Sequence, residues 1–431
     1  MSEFSRRENQ ERAGSQVRGF SAQAQHEAHG TELKAKLPDR QDTQVTLALF
    51  TDAGGVRRVR GLRAQTGVET TTPVKSQGRA NDEIDSLTAL RGIAALWVVI
   101  YHYRSHSAGL PLDWLWRNGY LAVDIFFVLS GFIMIYVYGA AFQAGRFDYG
   151  AFLTRRFARL YPVHLVTTLV VAGLYLVSGS AAITQSTGDQ IGSLWVNLAM
   201  LQAWNLTDAL YLNYPSWSIS AEFFAYVLFP VFAAIAFMVK RSWAAPLGLA
   251  MFVTWCLAYN LANGLPLFGS HLFRLTTDYS ALRIVPEFLM GGLFAVAVAG
   301  TRWPGMRLLV AVMALQAVAL QFGSEIAFVA LVPVLIGALF NLRSSIPRAL
   351  VYLGRISYSL YMVHAVVEKV VFRAARTAFH VEDGQFPVWS IAATVMLALG
   401  AAALTYHFVE KPGRRFVLGM MAGRRGMPAT S

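Results

Sequence analysis

From about residue 87 onward, apolar runs of roughly 17–23 residues recur along the chain, each long enough for a helix to cross a bilayer. No other feature limits the fold as strongly. Inside lipid every backbone N–H and C=O must be satisfied within its own segment or a closed barrel, so runs of this length are expected to be helical. The balance of side chains agrees: 14% are charged and 55% hydrophobic, where a soluble chain carries about 25% charged residues. The expected fold class is all-α, a polytopic membrane protein.

The first spans are expected at Leu87–Tyr103, Tyr120–Tyr138 and Leu160–Val177, with later ones centred on Phe224, Phe252, Leu293, Val312, Leu331, Leu360 and Val395. The run Ile191–Trp204 has only about 14 residues and reads as re-entrant or interfacial rather than spanning. Basic residues test this count. With the N-terminus inside, ten spans leave only Arg104, Arg117, Arg274, Arg373 and Arg376 in the outer loops and put sixteen other Lys and Arg residues on the cytoplasmic side. A crossing at Ile191–Trp204 would move Lys240 and Arg241 outside and invert every later loop. The positive-inside rule therefore predicts ten transmembrane helices with both termini cytoplasmic, in the inner (plasma) membrane.

Residues 1–83 lack sustained periodicity and hold 13 of the 37 Lys and Arg and 11 of the 25 Asp and Glu, a nearly balanced polar segment. They read as a disordered cytoplasmic extension. Residues 84–415 form the expected transmembrane domain and 416–431 a short cytoplasmic tail. Most of the net charge of +12 falls on the membrane body, which suits cytoplasmic loops and phosphate-bearing partners rather than nucleic acid. The single cysteine, Cys256, excludes an intrachain disulfide and a cysteine-rich metal site. No Walker A, G-x-S-x-G, H-E-x-x-H or Cys/His metal spacing occurs, and no metal is expected.

Charges inside a bilayer cost ~2.5–3.5 kcal/mol each on insertion scales, so each calls for a reason. In the first span Arg91 and His102 stand eleven residues apart. At about 100° per residue they share one helix face, roughly 16 Å apart along the axis. Arginine holds phosphate or carboxylate well, and histidine is poised for proton transfer near neutral pH. Each taken alone also fits a side chain snorkelling to a headgroup layer. Asp124 enters the second span early, where it could orient His102 or a basic neighbour, or cap the helix at the interface. The Ser130-Gly131 pair that follows reads as close helix packing. Arg155, Arg156 and Arg159 adjoin the third span, with Arg155 and Arg159 on one face. Such a cluster suits a phosphorylated ligand and equally a positive-inside anchor. Glu222 follows Trp217-Ser218-Ile219-Ser220-Ala221 into the fourth span, and His364 lies in Ser357-Tyr358-Ser359-Leu360-Tyr361-Met362-Val363-His364. Glu287 and Glu368 are further membrane carboxylates without a motif.

These segments, together with Phe408-Val409-Glu410-Lys411-Pro412, occur in an order that resembles the acyltransferase-3 family of integral-membrane O-acyltransferases, which modify cell-surface glycans, lipids and antibiotics. The resemblance covers about residues 84–415. It implies a ten-span bundle taking an acyl group, commonly acetyl, from cytoplasmic acyl-coenzyme A to a hydroxyl of a glycan or lipid-linked saccharide, as in exopolysaccharide acetyltransferases. It implies that Arg91 and His102 match the signature pair, that Arg155, Arg156 and Arg159 match a basic motif for the donor, that Asp124 and Glu222 match acidic positions and that His364 matches a later histidine. Two departures stand out: Thr88-Ala89 replaces the family's frequent Asp-Gly, and Ala122 replaces a Gly before Val-Asp. A chain ending soon after its last span is expected to carry no esterase-like appendage. The competing reading is a transporter or flippase, since polar residues also line solute paths, although no internal repeat of the transporter kind is visible.

Overall fold

The computed structural model describes residues 47–50, 56–59 and 84–425, apart from 108, 179–186, 208, 266–270, 277–279, 302 and 343. Most of the expected N-terminal extension lies outside the described residues. Within it β1 (Leu47–Phe50) pairs antiparallel with β2 (Val56–Val59), Leu47 opposite Val59. Pairing of these two short runs is a structure the reading of 1–83 did not anticipate.

The remainder is helical. In chain order the main elements are α1 (Asp85–Tyr103), α2 (Ala122–Gln143), α3 (Tyr149–Ser178), α4 (Trp217–Val227), α5 (Phe229–Met238), α6 (Arg241–Ala262), α7 (Ser280–Val298), α8 (Gly305–Gln321), α9 (Glu325–Ala330), α10 (Val332–Phe340), α11 (Arg348–Arg355), α12 (Ser357–Phe379), α13 (Val388–Thr405) and α14 (Lys411–Arg425). Five described helices are long and apolar enough to cross a membrane, or seven if each bent pair counts as one span. The bent pairs are α4–α5 and α11–α12, turned by 59° and 66°. The other three expected spans coincide with α1, with α8 and with α9–α10. The last two are shorter apolar helices, and α1 is made more polar by Arg91 and His102. The run Ile191–Trp204 breaks into helices Thr187–Gly192 and Leu194–Leu198, neither long enough to cross.

Two differences from the expected boundaries have local causes. The arginines at 155, 156 and 159 do not form a separate segment, because α3 begins at Tyr149 and carries them in its first third. At the other end, the helix runs past residue 415: α13 passes through a π-helical turn at Tyr406–Glu410 and continues as α14. Pro412 has no N–H for an i−4 bond, and a widened turn just before it absorbs the mismatch.

Packing brings distant segments together at glycines. A Cβ on Gly131 would lie 1.9 Å from the Phe288 carbonyl oxygen, and one on Gly291 equally close to Val128 O, so α2 and α7 touch backbone to backbone. The same happens between α1 and α11, where a Cβ on Gly354 would meet Thr88 O at 1.9 Å. Small residues let helices approach this closely in a lipid-facing bundle. The outward faces of α8 and α13 expose Val310, Met313, Leu315, Met396, Leu397 and Leu404, the surface that lipid would cover.

Candidate active site

Residues of α1, α2, α3, α4 and α12 line a cavity of ≈ 730 Å³, part of it open to solvent. Its polar lining is Arg91 from α1, Ser130 from α2, Arg156 and Arg159 from α3, Ser218, Glu222 and Tyr226 from α4, and Ser357, Tyr358 and Tyr361 from α12. Its apolar lining includes Phe126, Phe127, Leu129, Ile133 and Met134 of α2. Spacing on α3 decides which arginines take part. Arg156 and Arg159, three apart, share the inward face, while Arg155 is exposed and lies over the Tyr138 ring at 5.6 Å. Arg156 is framed by rings, 5.6 Å from Tyr138 and 5.9 Å from Phe152 and Tyr226, and donates to Tyr138 Oη at 3.0 Å.

The cavity's carboxylate is committed elsewhere. Glu222 Oε1 accepts from Ser130 Oγ and from Tyr226 Oη, both at 2.5 Å. Glu410, at the π-helical turn, accepts from Ser359 Oγ at 2.6 Å. Among the described residues no carboxylate comes within ion-pair distance of Arg91, Arg156 or Arg159. Three unpaired guanidiniums around a partly apolar cavity make a place for an anion with a hydrophobic extension.

At the other end of α1, His102 stacks on His364 of α12, ring centroids 5.2 Å apart with planes at 29°. Tyr214, in the turn before α4, packs 4.8 Å from the His102 ring. His364 Nδ1 faces the Tyr361 carbonyl oxygen at 2.6 Å. A carbonyl can only accept, so Nδ1 carries the proton and Nε2 the lone pair. Among the described residues nothing hydrogen-bonds the ring of His102. The two regions adjoin: Tyr361 lines the cavity, accepts from Ser218 Oγ at 2.8 Å and lies 5.8 Å from the His364 ring.

Asp124 sits apart from both regions. It is fully buried and takes Arg283 of α7 through both oxygens, at 2.7 and 2.9 Å from one guanidinium nitrogen, with Nε at 3.2 Å from Oδ1. Arg283 also lies over Trp217 at 5.3 Å. The structure thus brings Arg91, Arg156, Arg159 and Glu222 together and stacks His102 on His364. It gives Asp124 a basic neighbour rather than a histidine and leaves Arg155 outside.

Sequence reasoning passed over Arg283, Tyr214 and His106, and noted Glu368 without giving it a role. Two of these carried a signal: Arg283 precedes Glu287 by four residues and Glu368 follows His364 by four, the spacing of one helix face. Tyr214, in a 3-10 turn, and His106, beyond the end of α1, offered none. No group of three or more His, Cys, Asp or Glu side chains is placed to hold a metal ion among the described residues.

Residues 84–407 match the sequence profile of an acyltransferase domain. The chain is 31% identical over 390 residues to the acyltransferase MdmB of Streptomyces mycarofaciens, covering 81% of this chain and 95% of that protein. Over 148 residues, 32% of this chain and 75% of the relative, it is 34% identical to protein 2 in the picA locus of Rhizobium radiobacter. It is 25% identical over 372 residues to the provisionally named O-acetyltransferase SACOL0978 of Staphylococcus aureus (strain COL), spanning 77% of this chain but 57% of that protein's length. No solved structure matches significantly.

Proposed function

This chain belongs to the acyltransferase-3 family and is an acyltransferase, and we propose that it moves an acyl group, acetyl in the simplest case, from acyl-coenzyme A to a hydroxyl of a glycan or lipid-linked saccharide. The observation that carries this reading is the trio of unpaired guanidiniums, Arg91, Arg156 and Arg159, around a cavity whose remaining wall is largely apolar. Coenzyme A phosphates suit the arginines, and the acyl thioester suits the apolar wall that leads past Ser218 and Tyr361 towards the histidines.

A saccharide hydroxyl is a weak nucleophile at neutral pH, so transfer needs a base. His102 takes that role, because its ring nitrogens are left free for the acceptor. The acceptor oxygen attacks the thioester carbonyl as its proton passes to the imidazole. The C–S bond then breaks, and the thiolate takes a proton from water at the donor end. Arg91 steadies the donor, Glu222 holds Ser130 and Tyr226 around it, and Asp124 ties α2 to α7. The names of two relatives, an acyltransferase and a provisional O-acetyltransferase, agree with acyl transfer.

Calorimetry on the full-length protein in detergent should detect acetyl-coenzyme A binding. His102→Ala should retain that binding and lose about 10²–10⁴-fold in turnover. Absence of binding by the wild type sinks the donor reading; wild-type turnover by His102→Ala moves the base to His364. The reading also places residues 84–415 in the inner membrane as ten spans with both termini cytoplasmic. Reporter fusions within Gly179–Ile191 and Asn205–Pro215 should then both report the outer side, and a cytoplasmic signal from the second removes the ten-span topology.

A further inference from the structure

The proton taken from the acceptor must go somewhere. A charged imidazole buried beside a second imidazole is costly unless a counter-charge stands nearby. One carboxylate is placed to supply it. Glu368 follows His364 by one helical turn on α12, and its Oε2 accepts from Tyr214 Oη at 2.5 Å. Tyr214 Oη is also 3.4 Å from His364 Nε2. A tyrosine hydroxyl has one proton, and here it points at Glu368, so Tyr214 offers His364 a lone pair. With Nδ1–H already given to Tyr361 O, that contact becomes a hydrogen bond only when Nε2 also carries a proton. The network is complete only around a protonated His364.

Glu368 also faces outward. Its Oε1 lies 3.0 Å from His106 Nε2, and His106 Nδ1 lies 2.8 Å from Asp383 Oδ1. His106 is fixed in this position: its ring stacks on Phe372 at 3.8 Å, and its backbone oxygen accepts from Phe386 N at 3.1 Å. The series ends at the surface: the Glu368 and His106 side chains are 16% and 12% exposed, and that of Asp383, which is also paired with Arg376, is 53% exposed.

We propose that Glu368 is the counter-charge of the histidine pair and the hub of a proton path from His364 through Tyr214, Glu368 and His106 to the surface at Asp383. This rests on the acyl-transfer reading above. The acceptor O–H bond breaks and its proton enters the histidine pair. From His364 Nε2 a proton passes to Tyr214 Oη as Tyr214 gives its own to Glu368. Glu368 passes one to His106 Nε2 as His106 releases its Nδ1 proton to Asp383 and water. Tyr214, Glu368 and His106 are positioning residues, since each acts through the histidines.

The test uses full-length protein in detergent with acetyl-coenzyme A as probe and water as acceptor, reading binding by calorimetry and turnover by thiol release. Glu368→Gln preserves shape and should leave binding unchanged while lowering thiol release about 100-fold. Glu368→Asp should recover part of the loss. Tyr214→Phe should lower turnover less, and the Tyr214→Phe/Glu368→Gln double variant should fall no further than Glu368→Gln alone, because members of one path are not additive. Wild-type turnover by Glu368→Gln overturns the path. So do single losses that multiply in the double variant, or binding and turnover lost together in Glu368→Gln while Glu368→Asp gives no recovery. A wild type that does not bind acetyl-coenzyme A overturns the donor reading instead, and the path with it.

Discussion

Asp124 and Arg283, 159 residues apart in sequence, meet as a two-oxygen ion pair with both side chains essentially excluded from solvent. Glu287, one turn further along α7, is buried in the field of both. The resulting group is one guanidinium with two carboxyls, set along the same helix pair that touches at Gly131 and Gly291.

That arrangement makes the two partners unequal. Arg283→Met should cost about 3–5 kcal/mol, because it leaves two buried carboxyls without a cation. Asp124→Leu should cost less, since Glu287 remains to balance Arg283. Thermal unfolding in detergent would rank the two, and equal losses would mean that Glu287 does not share the guanidinium.

The crossing of α1 and α11 sets a second prediction. A side chain at Gly354 would run into the Thr88 carbonyl, so Gly354→Leu should destabilise by on the order of 3 kcal/mol and should weaken acetyl-coenzyme A binding by displacing Arg91. Gly400 on α13, where an added Cβ would meet nothing within 4 Å, provides the contrast. Gly400→Ala should stabilise by about 0.5–1 kcal/mol through reduced backbone entropy. Equal melting temperatures for the two variants would remove close packing as the reason for Gly354.

The three neighbouring arginines of α3 should behave differently. Arg156→Ala and Arg159→Ala each remove a donor from the cavity, and a hydrogen bond to a charged group is worth about 1.5–3 kcal/mol. Affinity for acetyl-coenzyme A should therefore fall at least tenfold in each. Arg155→Ala, exposed on Tyr138, should bind as the wild type does. Equal losses in all three would point to general charge rather than the cavity.

His106 should make stability depend on pH. Burial of its ring favours the neutral form, yet the hydrogen bonds and charges of Glu368 and Asp383 outweigh this and raise its pKa above the ordinary value. A raised folded-state pKa stabilises the protein fully below the unfolded histidine value of about 6.5 and loses that contribution as pH climbs through the folded value. Melting temperature should thus decline from pH 6.5 upward in the wild type, and His106→Gln should flatten that slope. An unchanged slope in His106→Gln would assign the decline to another group.

Much of this molecule was legible before any fold was known. Lipid forces helices, so long apolar runs gave the fold class and the approximate positions of the helices. The cost of burying charge drew attention to Arg91, His102, Glu222 and His364. Spacing of eleven residues put Arg91 and His102 on one stripe, and Arg91 lines the cavity while His102 stacks on His364.

What remained hidden was every pairing between distant segments. Helical spacing tells which residues share a face but not what that face meets. Asp124 could have turned to His102, yet the close approach of α2 and α7 at glycines delivers Arg283 to it. Arg155 and Arg159 share a face by spacing, but the orientation of α3 in the bundle turns Arg156 and Arg159 to the cavity. Tyr214 reaches Glu368 across 154 residues from a turn with no periodicity to read. The sequence by itself determined which side chains would be costly to bury in lipid, because that cost is local. Only the tertiary structure decided their partners, because crossing points and helix breaks, such as those after Val227 and Arg355, set which faces meet.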